Sequence, residues 1–202
     1  MRIRGWGITG LVAVILLGVC VTSFALWGFS ETFVRAIIRA TARISIALFL
    51  LAFVATSLHA FWPSSFTSWL RGNRRYVGVS FALSHFTHLA ALFTLGAYFP
   101  RPFLDDLNIV TLIGGGLAYL FITLMTITSF TAPRRLIGER AWSILHTTGS
   151  YYIWLIFLNS YLSRSLVDLS YAPFALALLV VMGLRIAHRV RTNAPAAQRT
   201  TA

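Results

Sequence analysis

Residues 74–99 read RRYVGVSFALSHFTHLAALFTLGAYF, and this stretch decides the class of fold. It opens with two arginines and then continues from residue 76 to residue 99 without any further Asp, Glu, Lys or Arg. Since about 20 apolar residues are enough to cross a bilayer, the stretch predicts a transmembrane α-helix. A second stretch follows the same plan, because Arg134 and Arg135 precede an apolar run that contains His146.

The overall composition predicts an integral membrane protein. Hydrophobic residues make up 57% of the 202 residues and charged residues only 11%, whereas soluble domains carry about 25% charged residues. The 17 basic residues are all Arg and give a net charge of +12, but they stand at the ends of apolar segments. That pattern indicates membrane topology, so we expect a lipid bilayer as partner and no nucleic acid. The single cysteine, Cys20, excludes an intrachain disulfide and an iron–sulfur cluster held by this chain alone.

Six apolar segments approach the length of a spanning helix, and breaks such as Pro63 and Gly72-Asn73 separate them. The sequence therefore predicts an all-α fold, a polytopic membrane bundle of six transmembrane helices that forms one domain over residues 1–191. The first segment is read as a retained helix, with a cleaved signal peptide as the alternative. Residues 192–202 are predicted to be a disordered tail. The segments cover residues 6–29, 42–62, 76–99, 109–130, 139–162 and 172–188.

Most arginines fall on one side of this predicted bundle. The positive-inside rule places that side, and with it both termini, in the cytoplasm. The richer side holds Arg2, Arg4, Arg71, Arg74, Arg75, Arg134, Arg135, Arg140, Arg185, Arg189, Arg191 and Arg199, and the other side holds Arg35, Arg39, Arg43, Arg101 and Arg164.

His88 and His146 are the first candidates for a functional site. They lie 13 residues after Arg75 and 11 residues after Arg135, so at about 1.5 Å per residue both are expected about 15–20 Å from the cytoplasmic edge. An imidazole in hydrocarbon is costly and usually has a partner. Two imidazoles at matching depth predict the axial metal ligands of one b-type haem iron. The alternative is that each histidine only hydrogen-bonds a neighbouring hydroxyl or carbonyl group.

Two further histidines are candidates for cofactor binding. His85 lies one turn before His88 on nearly the same helix face, so it could replace His88 as ligand, contact the haem edge, or line a quinone or proton site. His59 lies near the cytoplasmic end of the second segment. It could contact a quinone or a haem propionate, or simply occupy the membrane interface.

Three motifs resemble the ferric-reductase-like transmembrane family, and in particular the haem-binding membrane subunit of the bacterial methionine sulfoxide reductase system (MsrQ-like members). They are RRYVGV leading to His88, LIGERAWSILH at residues 136–146, and TARISIAL at residues 41–48. The resemblance covers roughly residues 30–162. It implies one haem b between the third and fifth helices, held by His88 and His146, and a multi-pass protein of the bacterial inner membrane. Many family members bind a second haem through histidines at positions that here are Arg101 and Asn159, so no second haem is expected.

These observations together predict a membrane b-type cytochrome, which would be an oxidoreductase electron-transfer subunit if haem is bound. The resemblance implies electrons from a cytoplasmic-side donor, a quinol or a flavin reductase, and delivery to a redox partner protein. The chain lacks a soluble flavin domain, so any flavin would come from a partner. The alternative is a non-redox membrane scaffold or assembly subunit built on the same helices.

Overall fold

The computed structural model describes residues 3–106 and 109–193. Within this part the chain forms six long α-helices, one short helix (α4) and a 3₁₀ turn at Leu169–Tyr171. The helices are α1 (Trp6–Trp27), α2 (Glu31–Phe61), α3 (Ser65–Tyr98), α4 (Pro100–Asp106), α5 (Ile109–Ile127), α6 (Thr131–Ser165) and α7 (Ala172–Asn193).

The prediction of an all-α membrane bundle is confirmed. Among the described residues, α1, α2 and α3 and the segment Leu169–Asn193 are each long and apolar enough to cross a membrane. The pair Leu112–Ile127 and Thr131–Ser165 passes the same test together, with a bend of 112° between the two helices. The bundle therefore has four or five candidate spans by length and composition.

Several predicted boundaries are wrong. The second and third helices begin at Glu31 and Ser65, 11 residues before the predicted segments at 42 and 76. Gly72-Asn73 lies inside α3 and not in a break, because the Asn73 side chain donates to the Trp69 carbonyl and accepts from the Gly5 backbone N–H. The predicted disordered tail begins inside α7, whose last residue is Asn193, and residues 194–202 lie outside the described part.

Buried hydroxyl groups join α2 to α3. The Ser45 hydroxyl donates to Ser84 Oγ at 3.0 Å, and Ser84 Oγ donates to the Thr41 carbonyl at 3.2 Å. All three residues are fully buried. Because hydroxyl groups in an apolar interior need hydrogen-bond partners, these bonds favour one register between the two helices.

Aromatic residues fill the space between α2, α3 and α6. The Phe49 ring centroid lies 5.2–5.5 Å from the centroids of Phe53, Phe81 and Phe157. Phe49 is 4% exposed, so this aromatic cluster belongs to the core. These bulky rings fill the core where α2, α3 and α6 meet.

Helix α6 is bent at its start. Gly138 has φ 77° and ψ 162°, a conformation that favours glycine, inside an otherwise helical segment. The seven residues before it run in a different direction from the rest of α6. The straight part of α6 therefore starts at Glu139, where the sequence predicted the fifth segment to start.

The close approach of α5 to α6 supplies a stability test at Gly149. A Cβ atom at Gly149 would lie 2.5 Å from Met125 Sδ and 3.0 Å from Phe121 Cδ1. We expect Gly149→Ala to lower the free energy of unfolding by about 1–3 kcal/mol, because overpacking forces neighbouring side chains to shift. The melting temperature of the detergent-purified protein checks this.

Gly183→Ala is the matched control for that test. A Cβ atom at Gly183 meets nothing within 4 Å, so this variant should melt at or slightly above the temperature of the unmodified chain. Equal melting temperatures for the two variants would contradict the described packing of α5 on α6.

Candidate functional site: a cavity lined by arginines and His146

A cavity of about 790 Å³ lies between α2, α3, α5, α6 and α7. Its volume is within the range of about 300–1,000 Å³ that is usual for small-molecule and cofactor sites. Its polar end is lined by Arg74, Arg75, Arg134, Arg135, Arg185, Glu139, Trp142 and His146. We call this end of the bundle the arginine-rich end.

The other end of the cavity is apolar. Phe49 and Phe81 of the aromatic cluster line it, together with Ile122 and Ile153. The cavity is therefore amphipathic, with cationic groups at one end and a hydrocarbon-like surface at the other. Such a shape fits a ligand that carries negative charge on one edge of a large apolar body.

Four of the cavity's five arginines make no ion pair with a carboxylate of the described residues. Arg74 Nε donates to the Ala52 carbonyl at 2.9 Å, and Arg185 Nη1 donates to the Phe53 carbonyl at 2.6 Å. The Arg75 guanidinium stacks over the Tyr76 and Phe130 rings. These contacts hold the side chains in place without neutralising their charge, so the cavity favours an anion.

The fifth arginine, Arg134, is connected to His146 through Trp142. Arg134 bonds to both carboxylate oxygens of Glu139, at 2.9 Å and 2.6 Å, and its guanidinium lies 4.0 Å from the centroid of Trp142. The Trp142 ring in turn lies 4.5 Å from the ring of His146. Trp142 Nε1 donates to the Thr128 carbonyl, and this bond holds the indole between Arg134 and His146.

Thr128 orients the His146 imidazole. His146 Nε2 lies 3.0 Å from Thr128 Oγ1, and this hydroxyl donates to the Leu124 carbonyl at 2.7 Å. Because the hydroxyl hydrogen is used there, Nε2 carries the proton and donates to Thr128. Nδ1 then keeps a lone pair that can bind a metal ion, with the threonine acting as the group that positions the ligand.

His88 lies in a different environment. Its Nδ1 is 3.1 Å from the Ile38 carbonyl and 3.2 Å from Thr41 Oγ1, both on α2. A carbonyl can only accept, so Nδ1 carries the proton and Nε2 keeps the lone pair. His88 is thus tied to the α2–α3 interface and does not line the cavity.

His85 stacks between His88 and Tyr119, with ring centroids 5.4 Å and 4.8 Å away. The Tyr119 hydroxyl donates to the His85 carbonyl. Among the described residues, His85 Nδ1 is the buried side-chain nitrogen or oxygen atom without a hydrogen-bond partner. The structure brings His85 and His88 together but places neither beside His146.

The predicted matching depth of His88 and His146 is wrong. The His85 ring lies 5.6 Å from the ring of Phe157, which is 11 residues after His146 on α6. At about 1.5 Å per residue, His146 is about 16 Å closer to the arginine-rich end than His85. His88 lies nearly one turn farther away still.

Helix α5 gives the same separation independently. Tyr119 of α5 contacts His85, and Thr128, which directly follows α5, contacts His146. The two residues are nine apart in the sequence, or about 13 Å along the helix axis. Two axial ligands of one haem approach the same iron from opposite faces and must share a level. The pair His88 and His146 therefore does not fit a single haem, whereas His146 alone faces a cavity of suitable size and charge.

The remaining histidines lie outside the cavity. His59 Nδ1 lies 3.1 Å from Thr67 Oγ1, where Ser64 and Thr67 cap the start of α3. The His188 ring lies 6.2 Å from that of Phe61. Within the described residues, no group of three or more His, Cys, Asp or Glu side chains could hold a metal ion.

Sequence reasoning missed Arg185, which lines the cavity, and Thr128, which contacts His146. Arg185 lies 132 residues from its partner Phe53, and no local motif connects them. Thr128 directly follows α5, and a threonine is an ordinary residue at the end of a helix. The two Arg-Arg pairs are a usable signal, since each precedes a histidine-bearing segment, but their position in the sequence indicates the membrane edge and does not show that they line a cavity.

Cross-linking in membranes tests the separation of the histidines. In a Cys20→Ser background, the pair His85→Cys and Phe157→Cys should join with a short bifunctional thiol reagent, because the native rings are in contact. The pair His88→Cys and His146→Cys should not join, and efficient joining of that pair would contradict the described levels. Proteolytic fragments that stay together on a non-reducing gel report the result.

In comparison with known proteins, the chain matches no family model, no curated protein and no solved structure.

Proposed function

We propose that the chain is a membrane protein that binds one b-type haem in the arginine-lined cavity, where His146 would hold its iron, and that it transfers electrons. The single observation that carries the proposal is that His146 lines the same amphipathic cavity as four arginines that make no ion pair with a carboxylate of the described residues. Haem combines a large apolar ring, two carboxylates and an iron that accepts imidazole. When bound, it supplies a one-electron couple.

The arginines would hold the carboxylate edge of the haem. Guanidinium groups bind carboxylates through paired N–H donors, and charge-assisted bonds of this kind are the strongest hydrogen bonds in proteins. Arg74 and Arg185 come from different helices, α3 and α7, and each is anchored to a backbone carbonyl of α2. Their charges are therefore fixed before a ligand enters, which lowers the entropy cost of binding.

The apolar wall would exclude water from the ring. Phe49 and Phe81 close the cavity towards the core, and Ile153 lines the same region. A dry environment raises the strength of every interaction between the arginines and the carboxylates. It also influences the reduction potential of a bound haem.

The distribution of arginines supports one orientation of the chain in the membrane. By the positive-inside rule, the arginine-rich end lies in the cytoplasm, and so do both termini of a chain that would sit in a bacterial inner membrane. The cavity would then receive electrons from a cytoplasmic donor, a quinol or a flavin reductase. The sequence resemblance supports transfer onward to a redox partner protein.

The histidines give a direct test. The protein is purified from cells with an adequate haem supply, and the haem is measured by its reduced-minus-oxidised spectrum and by pyridine extraction. We expect about one haem per chain, loss of most of it in His146→Ala, and retention in His88→Ala. The matched control is His59→Ala, which should also retain haem because His59 does not line the cavity.

Two outcomes would contradict the proposal. Absence of haem from the unmodified chain would contradict the whole proposal. Loss of haem in both His88→Ala and His146→Ala, with each variant still monodisperse by gel filtration, would show that the described separation of the two residues does not describe the loaded protein.

The non-redox scaffold is the second candidate, and one observation favours it. No histidine of another helix lies at the level of His88, and only His146 among the described histidines lines the cavity. A helix bundle of this kind could bind an anionic lipid in the cavity without any redox chemistry. A chain that stays free of haem but copurifies with anionic lipid in the cavity would support this alternative.

A further inference from the structure

A groove on the outside of the bundle lies at the contact between α6 and α7, separate from the cavity. Its apolar wall consists of Trp154 on α6 and Met182, Ile186 and Val190 on α7. Its polar end consists of Arg189 and Asn193. The three apolar residues of α7 are spaced by four, as are the two polar residues, so all five lie on one face of the helix. Met182 and Ile186 lie nearer its start, and Arg189 and Asn193 lie nearer its end.

The polar end of this groove carries positive charge. The Arg189 guanidinium lies 5.1 Å from the centroid of Tyr151, and the Arg185 guanidinium lies 5.0 Å from the same centroid. Tyr151 thus lies between Arg189, which lines the groove, and Arg185, which lines the cavity. Arg189 makes no ion pair with a carboxylate of the described residues, so an anion at this position would meet an uncompensated charge.

The apolar wall is exposed and suits a hydrocarbon chain. Ile186 is 54% and Val190 is 66% exposed, and α7 belongs to a segment long and apolar enough to span a membrane. Trp154 is held at the wall because its Nε1 donates to the Leu178 carbonyl. Aromatic rings beside basic side chains are typical of the level of lipid headgroups.

We propose that this groove is a binding site for an anionic phospholipid, of the phosphatidylglycerol type. Its phosphate contacts Arg189 and Asn193, and one acyl chain runs along Val190, Ile186 and Met182. The charge of Arg189 selects an anionic over a zwitterionic headgroup. The proposal does not depend on haem, because no residue of the groove lines the cavity.

Native mass spectrometry of the detergent-purified chain tests this site. Phosphatidylglycerol or phosphatidylcholine is added at equal concentration, and the fraction of chains that retain lipid is measured. We expect Arg189→Gln to lower the affinity for phosphatidylglycerol about fivefold, the effect of one basic side chain on an anionic lipid. Binding of phosphatidylcholine should not change.

Two variants make the test specific. Arg189→Lys keeps the charge and should restore most of the phosphatidylglycerol binding. Arg71→Gln removes an exposed arginine of α3 at the same end of the bundle, outside the groove, and should bind like the unmodified chain.

Three results would overturn the proposal. One is equal retention of the two lipids by the unmodified chain, and another is an equal loss in Arg71→Gln and Arg189→Gln. The third is displacement of the lipid by glycerol 3-phosphate at the same concentration, because it would show a site for free phosphate and not for a lipid.

Discussion

The buried hydrogen bonds between α2 and α3 are the constraint on which the positions of the functional residues depend. Ser45, Ser84 and Thr41 form a polar contact inside an otherwise apolar helix pair, and His88 adds its Nδ1 to the same interface. A shift of α3 by one turn would leave these groups without partners in a medium that cannot supply any. The register is therefore specific, and it keeps His88 away from the arginine-rich end.

That register also creates the cavity. With His88 bonded to α2, α3 presents Gly78, Arg74 and Arg75 to the cavity that His146 lines. Glycine adds no side chain there, and the arginines are long enough to lie against carbonyl groups and rings. The cavity thus lies where the bulky core residues end and Gly78 and the arginine side chains begin.

The sequence was sufficient for the helices but not for their relative heights. Apolar length predicted the bundle, and the segment starting at residue 139 matches the bend at Gly138. Depth was counted from Arg75 and Arg135 as though both marked the same edge. Arg75 lies ten residues inside α3, which begins at Ser65, whereas Arg135 precedes the bend. The counts of 13 and 11 residues are similar but begin at different levels, so the contacts do not support the match in depth that they gave. The position of Arg185 at the site depends on a contact between distant parts of the sequence.

The number of imidazoles on the iron is the most direct measurement of the central claim, that His146 acts alone. Low-temperature electron paramagnetic resonance of the oxidised, haem-loaded protein distinguishes the two arrangements, because one axial histidine gives a high-spin ferric signal and two give a low-spin rhombic signal. We expect the high-spin signal, which disappears in His146→Ala and persists in His88→Ala. A low-spin signal lost in both variants would contradict the account.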